Sequence, residues 1–263
     1  MSKEHIAYLK KIKREKFIVL SFQILILIVF LILWELLSQY KIINPFIFSS
    51  PTSVLATIKN LFISYNLIGH ILTTLYETLI AFILGITLSF VIAIILYEFK
   101  ILNKIIDPYL TMLNSLPKVA LGPLIIIIAG ANTKSIIVMA LLINLIVGIM
   151  TIYNGFNNID KDLIKLFKTF NANRLDILLK LTIPASYKTI ISSLKLNISM
   201  TLIGVIMGEF LVSKSGLGYL IIYGTQVFNL NMVKAGIVIL IIISFVLYKI
   251  ITYIEKKLLN NHA

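Results

Sequence analysis

Cysteine is absent from all 263 residues, which removes disulfides, iron–sulfur sites and thiol nucleophiles together. Histidine occurs only at His5, His70 and His262, too scattered for a metal-binding cluster. Acidic side chains are scarce as well, 11 Asp and Glu against 24 Lys and Arg. With no convergent group of His, Cys and acids, no catalytic, metal or cofactor site is expected in this chain. The net charge of +13 raises nucleic acid as a partner. No basic patch is interleaved with aromatic residues on a soluble frame, however, so nucleic-acid binding is set aside. Charge of either sign makes up 13% of residues, against about a quarter in soluble domains.

What fills the chain instead is apolar: 59% hydrophobic residues and a mean hydropathy of +0.99. The run 17–37 is broken only by Ser21, Gln23 and Glu35. A basic head precedes it, as in a signal peptide. The run nevertheless exceeds the core of about 7–15 residues found there and has no small-residue cleavage site. It reads as a retained first span, with Trp34 near the far interface. Further spans are expected at 70–96, 108–129, 134–153, 187–212 and 235–254. The third contains Pro117, Gly122 and Pro123, breakers that a bundle tolerates where neighbours re-satisfy the backbone. Residues 38–66, with Asn44-Pro45 and Ser50-Pro51, read as a loop with one short surface helix, and 97–107 as a short loop.

The expected fold is all-α, a polytopic transmembrane helical bundle of about six helices. Residues 1–66 form a basic head, first span and external loop. Residues 67–254 form the main transmembrane domain, and 255–263 a short tail. Placing the N-terminus inside puts eighteen Lys and Arg in inner segments and five in outer ones, leaving Lys118 within a span. That bias puts both termini and the segment 154–195 in the cytoplasm.

One interruption looks like a folded object. From Asn154 to Pro184 the chain turns polar and basic, yet Leu163, Leu166, Phe167 and Phe170 keep helical spacing. Asn171-Ala172-Asn173 breaks that pattern. A second short helix follows, with Leu175, Leu178 and Leu179 on one side, Asn173 as its cap and Asp176 three residues on. Pro184 is expected to turn the chain. A helix-turn-helix between two spans suits presentation to a partner outside the bilayer, with Leu163, Phe167 and Phe170 as the docking face and Phe167 its central anchor. Internal packing of the same residues is the alternative.

Elsewhere, Glu209 is a carboxylate in an apolar helix, a gate, substrate contact or vestibule residue by the cost of placing it there. Gly204 and Gly208 form a small-x-x-x-small pair on the same helix, a candidate path lining or subunit interface. Pro117 marks a distortion along a candidate path. Gly216-Leu217-Gly218 lacks the lysine and spacing of a phosphate loop and reads as a turn, so the chain itself is not expected to bind ATP.

These residues together resemble the membrane-spanning permease subunit of bacterial ABC importers, in the branch that handles nitrate, sulfonates, taurine and some vitamin precursors. The resemblance covers mainly 69–254. Leu116-Pro117, Ala120 and Gly122-Pro123-Leu124 match the family's proline-containing helix, and Glu209 with Gly216-Leu217-Gly218 matches a later signature. In that family a cytoplasmic loop reading Glu-Ala-Ala, then Gly, then Leu-Pro docks into the ATPase. Here Lys165, Leu166 and Phe167 occupy the first positions, Asn171 the glycine, and Ile183 and Pro184 the last pair. Glu77 falls where many relatives carry arginine. The resemblance implies two ATP-binding subunits that hold ATP and Mg, an extracytoplasmic solute-binding protein, a permease homodimer and an inner-membrane location. A secondary transporter and a membrane assembly factor are the rival readings, disfavoured by the lack of an internal repeat and by the cytoplasmic docking element.

Overall fold

The computed structural model describes residues 3–260, and every regular element among them is helical. His262 and the end of the tail at 261–263 lie outside the described residues. The chain divides into two units, Met1–Tyr65 with Gly224–Ala235, and Asn66–Tyr223 with Gly236–Ala263.

In the first unit, α1 (Lys3–Gln39) runs 37 residues and ends before Lys41, which takes a positive φ of 55°. The apolar side chains from Phe17 to Leu37 are largely exposed, as expected of a helix solvated by hydrocarbon. Two side chains near the end of α1, Trp34 and Glu35, join it to the segment that follows. Trp34 Nε1 donates to the Phe48 carbonyl at 3.2 Å. Glu35 accepts from the Thr52 N–H at 3.0 Å and the Thr52 hydroxyl at 2.8 Å. Those donors open α3 (Pro51–Ser64), capped by Ser50 and preceded by the single turn α2 (Pro45–Phe48). A carboxylate at a helix N-terminus is favoured by the exposed N–H groups and the helix dipole. Where a loop with one short surface helix is expected, 38–66 is mostly helical, with two helices, and Glu35 is what fastens α3 to the first span.

The second unit is built on α4 (Leu67–Glu98), α7 (Thr133–Asn157) and α10 (Ile183–Val212), with α7 packed against both others. Small and polar side chains sit in the contacts, as in membrane bundles generally. A Cβ on Gly204 would meet the Ala140 Cα at 2.5 Å, and one on Gly208 the Ile136 Cα at 2.9 Å. The pair expected to line a path or subunit interface is consumed in the contact of α10 with α7. Between the three helices, Asn144 Nδ2 donates to the Ala81 carbonyl at 3.1 Å and to Thr201 Oγ1 at 2.6 Å. One side chain thus joins α4, α7 and α10 where all are buried.

Two sequence expectations are corrected by the fold. The loop at 97–107 and the span at 108–129 are redistributed into α5 (Lys100–Ser115), a 3-10 turn (Lys118–Leu121) and α6 (Gly122–Ala129), bent by 92°. The cause is Leu116-Pro117: a residue before proline avoids helical geometry, and Leu116 is extended at φ −69°, ψ 140°. Pro184 does not turn the chain. Residues Arg174–Val212 are helical without interruption, through α9 (Arg174–Ile177), a π-helical stretch (Leu178–Thr182) and α10. The π register changes which carbonyl each amide seeks, so the missing N–H of Pro184 falls at a register change.

The remaining helices are α8 (Lys161–Thr169), α11 (Leu217–Gln226) and α12 (Leu230–Asn260). Glu255 of α12 accepts from Ser192 at 3.0 Å and pairs with Lys195 at 2.7 Å, fixing the end of α12 to α10. Among the described residues, five helices are long and apolar enough to cross a membrane, or six if the bent pair forms one broken span.

Candidate functional site

Glu209, near the end of α10, is fully buried. Its Oε1 accepts from Thr74 Oγ1 at 2.6 Å and its Oε2 from the Gly218 N–H at 2.5 Å. Thr74 Oγ1 accepts in turn from the Leu217 N–H at 2.9 Å, and His70 Nδ1 from the Gly216 N–H at 3.0 Å. Gly216-Leu217-Gly218 is not the turn expected from the sequence: Leu217 opens α11, and the amides at this helix start, which have no partner within the helix, are held by two α4 side chains and one α10 carboxyl. Hydrogen bonds of this kind make a buried carboxyl tolerable in apolar surroundings.

The glycines follow from the same geometry. Gly216 has φ 106°, and a Cβ there would collide with the Glu209 carboxyl. A Cβ on Gly218 would press on Glu209 Cβ at 2.7 Å. Glu209 and Gly216-Leu217-Gly218, two separate signals in the sequence, are one object in the fold. The vestibule reading of Glu209 loses its basis, since no water-exposed surface remains on the side chain. Glu77 is buried beside Glu209, and its Oε2 has no hydrogen-bond partner.

Sequence reasoning passed over His70 and Thr74. The signal was available: His70, Thr74, Glu77 and Thr78 recur at helical spacing along one side of an otherwise apolar α4. What periodicity alone lacked was the start of α11, which this stripe addresses.

At the other end of the unit, α8 begins at Asp160, whose side chain accepts from the Asp162 N–H at 2.9 Å. It closes with Asn171 N–H to the Lys168 carbonyl at 3.0 Å and Ala172 N–H to the Phe167 carbonyl at 3.2 Å. This is the two-bond Schellman closure, which needs a left-handed residue in the position Asn171 fills at φ 54°. Asparagine reaches that region more readily than other non-glycine residues, which explains how it stands where a glycine is expected. Asn173 and Asp176 then exchange side chain-to-backbone bonds at 2.8 and 3.3 Å, the capping box that starts α9.

The loop has its own small core of Ile159, Ile177 and Leu181, with Ile164, Phe167 and Ala172 packed on it. Phe167 therefore packs inward and is not the outward anchor expected of it. Ile183 packs inward too, against Ala93, Ile152 and Phe156. Exposed instead are Leu163, Leu166 and Phe170 of the α8 region, Leu175 and Leu179 of the next helical segment, and Pro184. Lys165 is exposed and paired with Asp162 at 2.8 Å. Pro117 is exposed at the break before the 3-10 turn.

Residues 85–260 match the family model described as the binding-protein-dependent transport system inner membrane component. The chain belongs to this family. It is a permease subunit of an ABC importer, a multi-pass membrane protein that forms the translocation path and is coupled to separate ATPase subunits. Among curated relatives, a probable ABC transporter permease protein of Haemophilus influenzae is 30% identical over 226 residues, 86% of this chain and 91% of that one. The putative aliphatic sulfonates transport permease protein SsuC of Bacillus subtilis is 26% identical over 232 residues, 88% and 84% of the two chains. A solved inward-facing structure of the MetNI methionine ABC transporter has the same fold, with a TM-score of 0.65 and 17% identity. It covers 76% of this permease and 97% of that chain.

Proposed function

We propose that two copies of this permease enclose one path, that the segment 154–195 faces the cytoplasm, and that it couples each copy to an ATPase subunit. The observation that carries this reading is the divided α8 helix. Phe167 and Ile164 fasten it to the loop core, while Leu163, Leu166 and Phe170 stand exposed at 42%, 48% and 76% on a segment between two spans. A face fixed from behind and apolar in front suits a cleft in a partner and transmits displacement as a solid piece. Closing a path with a two-fold pair is the simplest assembly for a chain with five or six spans.

The clasp around Glu209 has a separate role in this reading. Glu209, Thr74 and His70 hold the start of α11 to the ends of α4 and α10, so that the non-cytoplasmic side of the path moves as a unit. Both Glu209 oxygens are already engaged within the chain, which favours a positioning role over substrate contact. A small solute delivered by a binding protein is the cargo. Sulfonates are the first class to test, because one relative carries that name.

Co-purification with the ATPase tests the coupling assignment. Changing Leu166 and Phe170 together to Ala is expected to abolish recovery of the ATPase while leaving permease in the membrane. Undiminished recovery would refute the assignment.

A further inference from the structure

The second unit contains a cavity of about 1180 Å³ where the end of α4, the start of α5, the end of α7 and the inward side of α8 meet. Its walls are of two kinds. Ile95, Phe99, Ile101, Phe156 and Ile177 make an apolar surface continuous with the ends of two spans. Lys100, Lys104, Lys161, Lys168 and Arg174 also line it, and among the described residues none of these five is in an ion pair. Lys165 contributes a further ammonium, partly offset by Asp162. Glu98 is the acidic residue in the lining.

We infer that this cavity holds an anionic phospholipid, with its phosphate among the five free cations and acyl chain against the apolar wall. The chemistry asks for an amphipathic anion: cations alone would suit any phosphate, and an apolar wall alone would suit any lipid. Basic pockets at the inner ends of transmembrane helices are suited to such headgroups. The alternative occupant, an acidic segment of the ATPase, is disfavoured by the geometry of α8. Lys161, Ile164, Lys165 and Lys168 line the cavity, whereas Leu163, Leu166 and Phe170 do not and remain exposed. Lipid and ATPase would therefore occupy opposite sides of one helix. A lipid in this place would support the element that receives the ATPase's movement. The inference rests on the cytoplasmic orientation proposed above.

The test uses the full-length permease in vesicles, with Trp34→Phe to remove the native tryptophan and Ile101→Trp, at an exposed lining position, to report. Brominated phosphatidylglycerol is expected to quench the introduced tryptophan with an apparent affinity at least about five-fold above brominated phosphatidylcholine, roughly one lysine's surface contribution. Combined Lys100→Gln, Lys104→Gln, Lys161→Gln and Lys168→Gln is expected to erase the preference. Removing as many charges from the head, at Lys10, Lys11, Lys13 and Lys16, is expected to preserve it. Equal quenching by the two lipids, or equal loss from the head variant, would overturn the inference. Displacement by inorganic phosphate would assign the site to a free anion, and loss of the preference when ATPase is added would assign it to protein; either overturns it. Orientation is read separately. The chain has no cysteine, so Lys168→Cys labelled by an impermeant maleimide only from the cytoplasmic side supports the orientation, and labelling only from the opposite side refutes it whatever the quenching shows.

Discussion

At the residue scale, Glu209 and Asn171 each turn a sequence oddity into geometry. Removing the Glu209 carboxyl orphans the Thr74 hydroxyl and the Gly218 amide, so Glu209→Ala is expected to cost about 2 kcal/mol or more. The measurement is thermal unfolding of the purified permease, and Glu209→Gln, which keeps one acceptor, should recover part of the loss. Glu77→Gln should behave differently. Glu77 is a buried carboxyl with one oxygen that has no hydrogen-bond partner, and burying such a group is costly, so an uncharged side chain of the same shape should leave the melting temperature unchanged or higher. A loss as large as that of Glu209→Ala would show that the Glu77 carboxyl is itself required. For Asn171, a β-branched residue would have to adopt φ 54°, at a cost of about 1–2 kcal/mol. Asn171→Val should therefore speed limited proteolysis between 165 and 180, whereas Asn171→Gly should slow it or leave it unchanged.

At the element scale, the α7–α10 contact is the part least tolerant of added volume. Gly204→Val would drive a side chain into the Ala140 backbone, which cannot move aside as the end of a flexible side chain can. Overpacking of this kind costs about 1–3 kcal/mol. The expected result is reduced membrane yield and a lower unfolding temperature, independent of whether a second permease copy is present. A variant that expressed normally but failed only to dimerise would restore the interface reading of Gly204 and Gly208. The two sides of α8 make a second contrast. Phe167→Ala should loosen the loop itself, whereas Phe170→Ala should leave the loop intact and weaken only ATPase capture. Limited proteolysis and co-purification measured on the same samples separate the two outcomes.

At the scale of the whole molecule, the charge pattern and the family match make one prediction together. A phosphatase reporter fused after residue 170, active only outside the cytoplasm, is expected to be inactive, and one fused near Lys214 active. Reversal of the two would invert the topology and with it the coupling role of α8. A cross-linked dimer recovered when this permease is expressed as the sole permease gene would support the two-fold assembly. Recovery only with a second, different permease would replace the homodimer by a heterodimer.

The membrane class, the number of spans to within one, the helical loop and the Asn173–Asp176 cap are all legible in the amino-acid sequence. Each rests on local physics: run length against bilayer thickness, helical periodicity, charge next to span ends, and side chains reaching amides three residues away. The break at Leu116-Pro117 is half-legible, because proline's constraint is local while its 92° consequence depends on what the two halves pack against. Pro184 cannot be judged locally, since a π-helical register absorbs the missing donor only where the surrounding packing permits it. The same holds for Phe167, whose inward position depends on Ile177 and Leu181 arriving from the next helix. Only the tertiary structure joins Glu209 to Thr74, 135 positions away, and so explains why the entry into α11 carries two glycines. Sequence decides what a segment can form by itself; which buried polar groups become partners is decided by helices that meet across the chain, because each such group must find its hydrogen bonds wherever the fold supplies them.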